Sequence, residues 1–124
     1  ALTVFGTDYD TPDGTCIRDY VHVMDLVDAH LLGLKWLEQG KGSRAFNLGT
    51  GSGYSVLEVI DQSQVVTNKP VPHSEGPRRP GDCTKLVSGS QRAMDELGWT
   101  PERSSLSEMI KDAWRWQQNG HYDQ

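Results

Sequence analysis

Apolar positions along this chain recur with two spacings, near two and near 3.6 residues, and predict short strands alternating with longer helices. Residues 2–5 read as a strand, and Gly6, Asp8, Asp10, Pro12, Asp13 and Gly14 then supply a run of turn chemistry. Residues 20–23 read as a second β segment that delivers the chain to Asp25, an N-cap followed by the first-turn acid Asp28. Val23, Leu26, Val27, Leu31, Leu34 and Leu37 then share one helical stripe, which Gly40 and Gly42 bring to an end. Residues 44–48 form the next strand, closed by the Gly49-Thr50-Gly51-Ser52-Gly53 turn. Ser55 and Glu58 have the spacing of a capping box, opening a helix that stops at Asn68-Lys69-Pro70. Residues 74–82 read as a loop and residues 90–97 as a short helix stopped by Gly98. A second capping box, Ser105 and Glu108, opens a last helix whose stripe is Leu106, Met109, Ile110, Ala113 and Trp114 and which ends at Gly120 and the polar tail.

The pattern places the chain in the α/β class, as one small mixed α/β domain over residues 1–124 with short strands and about four helices. Strands so few and short leave unpaired edges, so the sheet expects further strands from elsewhere.

Charge and composition narrow the function classes. A net charge of −5 opposes binding to nucleic acid or to an anionic membrane. The longest basic run is the pair Arg78-Arg79, too short to track a phosphate backbone. No apolar stretch approaches the roughly 20 residues of a membrane span, and no leader is read at the start, so the expected location is cytoplasmic. Cys16 and Cys83 have no metal spacing and fit free thiols in a reducing compartment. His22, His30, His73 and His121 are scattered, so no metal site is expected. Neither a nucleophilic triad nor a matched carboxylate pair is legible, and no catalytic residue is assigned.

Three segments hold candidate chemistry. Arg18, Asp19 and Tyr20 put a guanidinium beside an aromatic ring at a junction, an arrangement suited to an anionic ligand with a ring to pack against. A surface Arg18–Asp19 pair with a half-buried Tyr20 would account for the same residues. Pro77-Arg78-Arg79-Pro80-Gly81-Asp82 sets two guanidiniums in a proline-stiffened loop, able to clamp a phosphate, with Asp82 placed to accept from sugar hydroxyls. A solvated basic turn is the alternative. The turn at residues 49–53 is similar to half of a dinucleotide fingerprint, but its third glycine comes one place early and no acid follows about twenty residues on. A tight strand-to-helix turn is the better account.

Together these segments resemble one family. Phe5-Gly-Thr-Asp-Tyr-Asp-Thr-Pro-Asp-Gly-Thr-Cys-Ile-Arg-Asp-Tyr-Val-His-Val23 resembles the signature stretch of UDP-glucose (UDP-galactose) 4-epimerases. So do Ala45-Phe-Asn-Leu-Gly-Thr-Gly51, the Arg78-Arg79 loop, Leu97-Gly-Trp99 and Asp112-Ala-Trp-Arg-Trp116. The arginine loop and the Asn-Leu-Gly strand are shared more widely among extended short-chain dehydrogenase/reductase enzymes.

The resemblance implies the carboxy-terminal, UDP-sugar-binding part of an enzyme that interconverts UDP-glucose and UDP-galactose by oxidising C4 and returning the hydride to the other face. It implies that Arg18 and Arg79 engage the diphosphate, that Tyr20 packs near the nucleotide and that Asp82 takes ribose hydroxyls. NAD belongs, in the family, to an amino-terminal Rossmann half carrying the Gly-rich motif and a Tyr-x-x-x-Lys pair. Neither is found here, so this chain alone is expected to bind no cofactor and to be inactive. Its expected partners are a UDP-sugar, a dinucleotide-binding half in cis or in trans, and further copies of itself. A nucleotide-sugar-binding or interaction module without catalysis is the alternative. Asn68 departs from the family's usual glycine, and residues 83–86 lie where members vary near the sugar.

Overall fold

The computed structural model describes residues 1–120, so the predicted tail and His121 lie outside the described residues. Two small sheets and three long helices make up the architecture. Strand β1 (Leu2–Phe5) pairs in parallel with β4 (His73–Gly76), Leu2 opposite His73 and Phe5 opposite Gly76. Part of the predicted 74–82 loop is therefore strand. The second sheet has the order β3 (Tyr54–Ser55), β2 (Ile17–Arg18), β5 (Lys85–Leu86), with β2 antiparallel to β3 and parallel to β5. The helices are α1 (Val23–Glu38), α2 (Val56–Thr67) and α3 (Leu106–Asn119), and a π-helical turn, Ala93–Leu97, lies between β5 and α3.

The helix ends follow local chemistry with one exception. Ser55 and Glu58 form the full reciprocal capping box, and Asn68 closes α2 in the left-handed conformation at φ 52°. Ser105 caps α3 by accepting from the Glu108 amide at 3.3 Å. At α1 the N-cap is His22, not Asp25: the His22 Nδ1 accepts from the Met24 amide at 3.0 Å. The predicted strand at residues 20–23 gives way to this cap, and pairing occurs earlier, at Ile17–Arg18. Asp25 is committed elsewhere. Its carboxylate accepts from the Arg103 amide at 3.0 Å and from the Ser104 hydroxyl, while its carbonyl accepts from Trp99 Nε1 at 2.7 Å. His22 joins the same network, donating its amide to Ser104 Oγ at 2.9 Å and placing Nε2 3.2 Å from Asp112 on α3.

This network surrounds the core. Ala29, Ala93 and Trp99 are buried together, with Val21, Leu32, Phe46, Leu48 and Leu97 packed against them. The buried face of α1 is therefore its Asp25–Ala29 side. The apolar stripe faces outward, with Val23, Val27, Leu31, Leu34 and Leu37 each 41–65% exposed. Residues 44–48, predicted as a strand, join no sheet among the described residues. The two departures have one cause: an amphipathic helix and a strand-like segment each need a cover or a ladder partner, and neither is supplied here. Among the described residues no helix is long and apolar enough to cross a membrane.

Candidate functional site

Arg18 sits in the middle strand of the second sheet, opposite Tyr54 on one side and Leu86 on the other. Its Nη1 donates to the carbonyls of Ile17 (2.9 Å) and Cys83 (2.8 Å), which fixes the guanidinium against β5. The remaining Nη2 lies 3.8 Å from Asp82 Oδ1. Asp82 also accepts from Arg79 Nε at 3.0 Å, and its amide donates to the Arg79 carbonyl at 3.3 Å. Gly81, at φ 85°, supplies the left-handed residue that lets the chain turn between them. The Arg79 guanidinium also lies 5.0 Å above the Phe5 ring. Arg18, distant in sequence, thus meets Arg79 at the carboxylate of Asp82, three residues beyond Arg79.

The adjacent arginines divide their roles. Arg78 donates to the Asp8 carboxylate at 2.7 Å and stacks 4.3 Å from the Tyr9 ring centroid. This hydrogen bond holds the Asp8 carboxyl below its ordinary range, with desolvation working against it and the charge of Arg78 adding to it. Arg78 therefore ties the loop down, and only Arg79 of the pair joins Arg18. Tyr20 is not connected to the other three by a hydrogen bond or ring contact. Burial pushes its phenol up, Cys16 acts in the same direction, and the nearby charge of Arg18 pulls it back.

The sequence offered Asp19 only as a surface partner of Arg18, and the structure gives it other partners. Its carboxylate accepts from the amides of Thr50 (3.0 Å), Gly51 (3.2 Å) and Ser88 (3.2 Å) and from the Thr50 hydroxyl (2.7 Å). It binds the glycine-rich turn and the segment after β5 to the strand that carries Arg18. Gly49 makes this approach feasible, since a Cβ there would stand 2.7 Å from Asp19 Oδ2 and 2.6 Å from Ser88 Cβ. The amides of Thr50 and Gly51, which a dinucleotide phosphate would need, are already taken by a carboxylate. The turn does not fit a cofactor phosphate. The only advance signal for Asp19 was its place beside Arg18.

A cavity of about 410 Å³ opens next to Arg18, lined also by Asp19, Asn47, Leu86 and Ser88. A second, more apolar groove of about 460 Å³ runs between α1 and residues 44–48 and shares only Leu48 with it. That groove lies along the uncovered stripe and holds little that is polar. The charged site is the chemical one. Among the described residues no cluster of three His, Cys, Asp or Glu side chains could hold a metal ion, and both cysteines are free.

Known proteins share this architecture. Residues 1–49 match the model of the NAD dependent epimerase/dehydratase family. The UDP-glucose 4-epimerase of Lacticaseibacillus casei is 47% identical over 118 residues, covering 95% of this chain and 36% of that protein. A crystal structure of a UDP-glucose 4-epimerase superposes with a TM-score of 0.92 at 50% identity, over 98% of this chain and 38% of that one. The UDP-glucose 4-epimerase of Bifidobacterium longum, solved in complex with NAD+ and UDP, superposes with a TM-score of 0.84 at 40% identity, over 96% of this chain and 36% of that one. The chain spans about a third of the length of the curated relatives it matches.

Proposed function

We propose that this chain, which belongs to the UDP-glucose 4-epimerase family and corresponds to its carboxy-terminal part, grips the uridine diphosphate of a UDP-sugar. The carrying observation is the convergence of Arg18 Nη2 and Arg79 Nε on a single anionic group. Two guanidiniums directed at one point, from a fixed strand and an adaptable loop, suit a diphosphate. Tyr20 packs near the nucleotide, and Asp82 accepts from ribose hydroxyls. In the whole enzyme the substrates are UDP-glucose and UDP-galactose. NAD, held by a dinucleotide-binding half joined in cis or in trans, supplies the hydride chemistry at C4. The residues of this chain bind and orient the nucleotide end so that the sugar reaches that half. The setting is cytoplasmic.

Calorimetric titration with UDP tests the grip. Affinity is expected on the order of millimolar, because contacts from the other half are missing and the loop must be ordered on binding. Arg79→Ala should lower it by at least about tenfold, since a charge-assisted hydrogen bond contributes about 1.5–3 kcal/mol. Arg79→Lys should restore only part of the loss, as an ammonium lacks the two-pronged geometry. Added salt should weaken binding. Equal affinity of the wild type and Arg79→Ala would refute the assignment.

The exposed α1 stripe and the ladderless segment at residues 44–48 support self-association of this chain. Light scattering over a dilution series should show mass rising with concentration, and Leu31→Ser should reduce it. A clean monomer at high concentration contradicts this reading.

A further inference from the structure

We infer, on the basis of the grip proposed above, that Arg78 is a positioning residue: latched by Asp8 and Tyr9, it keeps the neighbouring Arg79 aimed at the diphosphate. Both arginines of the loop rest on aromatic rings from one end of the chain. The Arg78 guanidinium lies 4.3 Å from the Tyr9 ring centroid, and that of Arg79 lies 5.0 Å from the centroid of Phe5. Arg78 also donates from Nε to the Asp8 carboxylate at 2.7 Å and from Nη2 to the Asp8 carbonyl. A planar fork can make both bonds at once while its face rests on a ring. An ammonium cannot.

The platform under this latch is firm. Tyr9 is 5% exposed, and its amide donates to the Gly14 carbonyl at 2.9 Å. The Gly6 amide donates to the Gly76 carbonyl at 2.9 Å, closing β1 onto β4 just before the arginine loop. Gly6 itself stands at φ 86°, and a Cβ there would come within 2.5 Å of Tyr9 Cε2 and 2.9 Å of Arg78 Cγ. Glycine is what leaves room for the stack. At the far end of the loop, the Cys83 carbonyl is held by Arg18. Arg79 lies between these fixed points, with its own side chain 60% exposed. Freeing Arg78 would leave more of the loop to be ordered when an anion binds, at a cost in affinity.

Charge and positioning make opposite predictions for Asp8→Asn. Removing a negative charge near the site would tighten UDP binding if only the surrounding field mattered. Loss of the latch weakens it. Chemical-shift titrations of the full chain with UDP decide between them, using wild type, Asp8→Asn, Arg78→Lys, Asp10→Asn and Arg79→Ala. Asp8→Asn and Arg78→Lys should each bind UDP about threefold more weakly than wild type, the scale of an exposed ion pair with a cation–π contact. Asp10→Asn, the same charge change at an exposed neighbouring residue, should not weaken binding. A second readout needs no ligand. In Asp8→Asn the Arg79 Nε–H resonance, whose acceptor is Asp82, should move, while the buried Trp99 indole resonance stays.

If Asp8→Asn binds UDP as tightly as wild type or more tightly, while Arg79→Ala still loses affinity, the latch falls and the grip stands. An unmoved Arg79 Nε–H also overturns the latch. So does a shifted Trp99 indole, which would mean that Asp8 acts on the fold at large. If the wild type binds no UDP, the grip fails and the latch with it.

Discussion

Incubated with NAD and UDP-galactose, this chain alone should convert no sugar above the buffer background. Epimerisation at C4 needs a hydride acceptor and a positioned acid–base group, and the latter alone contributes about 10²–10⁴-fold in rate. No tyrosine here is followed four places later by lysine. Tyr9 is buried, with the Arg78 guanidinium stacked over its ring. The amides of the glycine-rich turn are occupied by Asp19. Adding a dinucleotide-binding half from a relative in trans is the matching positive experiment. Turnover by the purified chain, tracking with the protein through a further column, would contradict the proposal that catalysis needs another half.

Trp99→Ala should be the most damaging substitution to the fold, costing about 3–5 kcal/mol of stability. Trp99 is 1% exposed, packs against Ala29 and Ala93, and donates Nε1 to the Asp25 carbonyl at 2.7 Å. Truncation would leave a large cavity and strip a hydrogen bond from the network that joins α1 to the segment before α3. Leu31→Ser, by contrast, changes a side chain that is 54% exposed and should shift stability by no more than about 0.5 kcal/mol. Urea unfolding followed by circular dichroism compares the two. A Trp99→Ala midpoint close to that of Leu31→Ser would show that the core lies elsewhere.

The contrast between these two residues also shows how far the fold was legible. Helical periodicity gave the span of α1 well, because the rhythm of Leu26, Leu31, Leu34 and Leu37 is a local property. It did not reveal which face is covered. An apolar stripe records that a helix needs a partner and does not say that the partner is in the same chain, and here Asp25 and Ala29 face inward instead. Residues 44–48 met the same limit, since a strand exists only beside another strand. The cap at His22 was hidden for a different reason: Asp25 looked free in sequence but is engaged by Arg103 and Ser104, contacts that no local window contains.

The site divides along the same line. Residue type, loop stiffness and family resemblance singled out Arg18, Arg79 and Asp82, and the fold places these three side chains together. The separate duty of Arg78 was not, because its partners Asp8 and Tyr9 come from the opposite end of the chain. Nor was Asp19, one acid among 17 until the turn at Thr50 and Gly51 folds onto it. The Ser55–Glu58 capping box and the stop at Asn68 needed only neighbours, and those expectations match the structure, whereas of the Ser105–Glu108 box only the Ser105 half forms.

The grip itself is tested most directly by titrating the isotopically labelled chain with UDP and following backbone amide resonances. The account predicts saturable shifts at Arg18, Asp19 and Tyr20 and through residues 79–83, with a midpoint on the order of millimolar. Resonances along the outward stripe of α1 should stay where they are. If UDP leaves the Arg18 strand and the Arg79 loop unmoved, or shifts only the glycine-rich turn, the proposed diphosphate grip is contradicted.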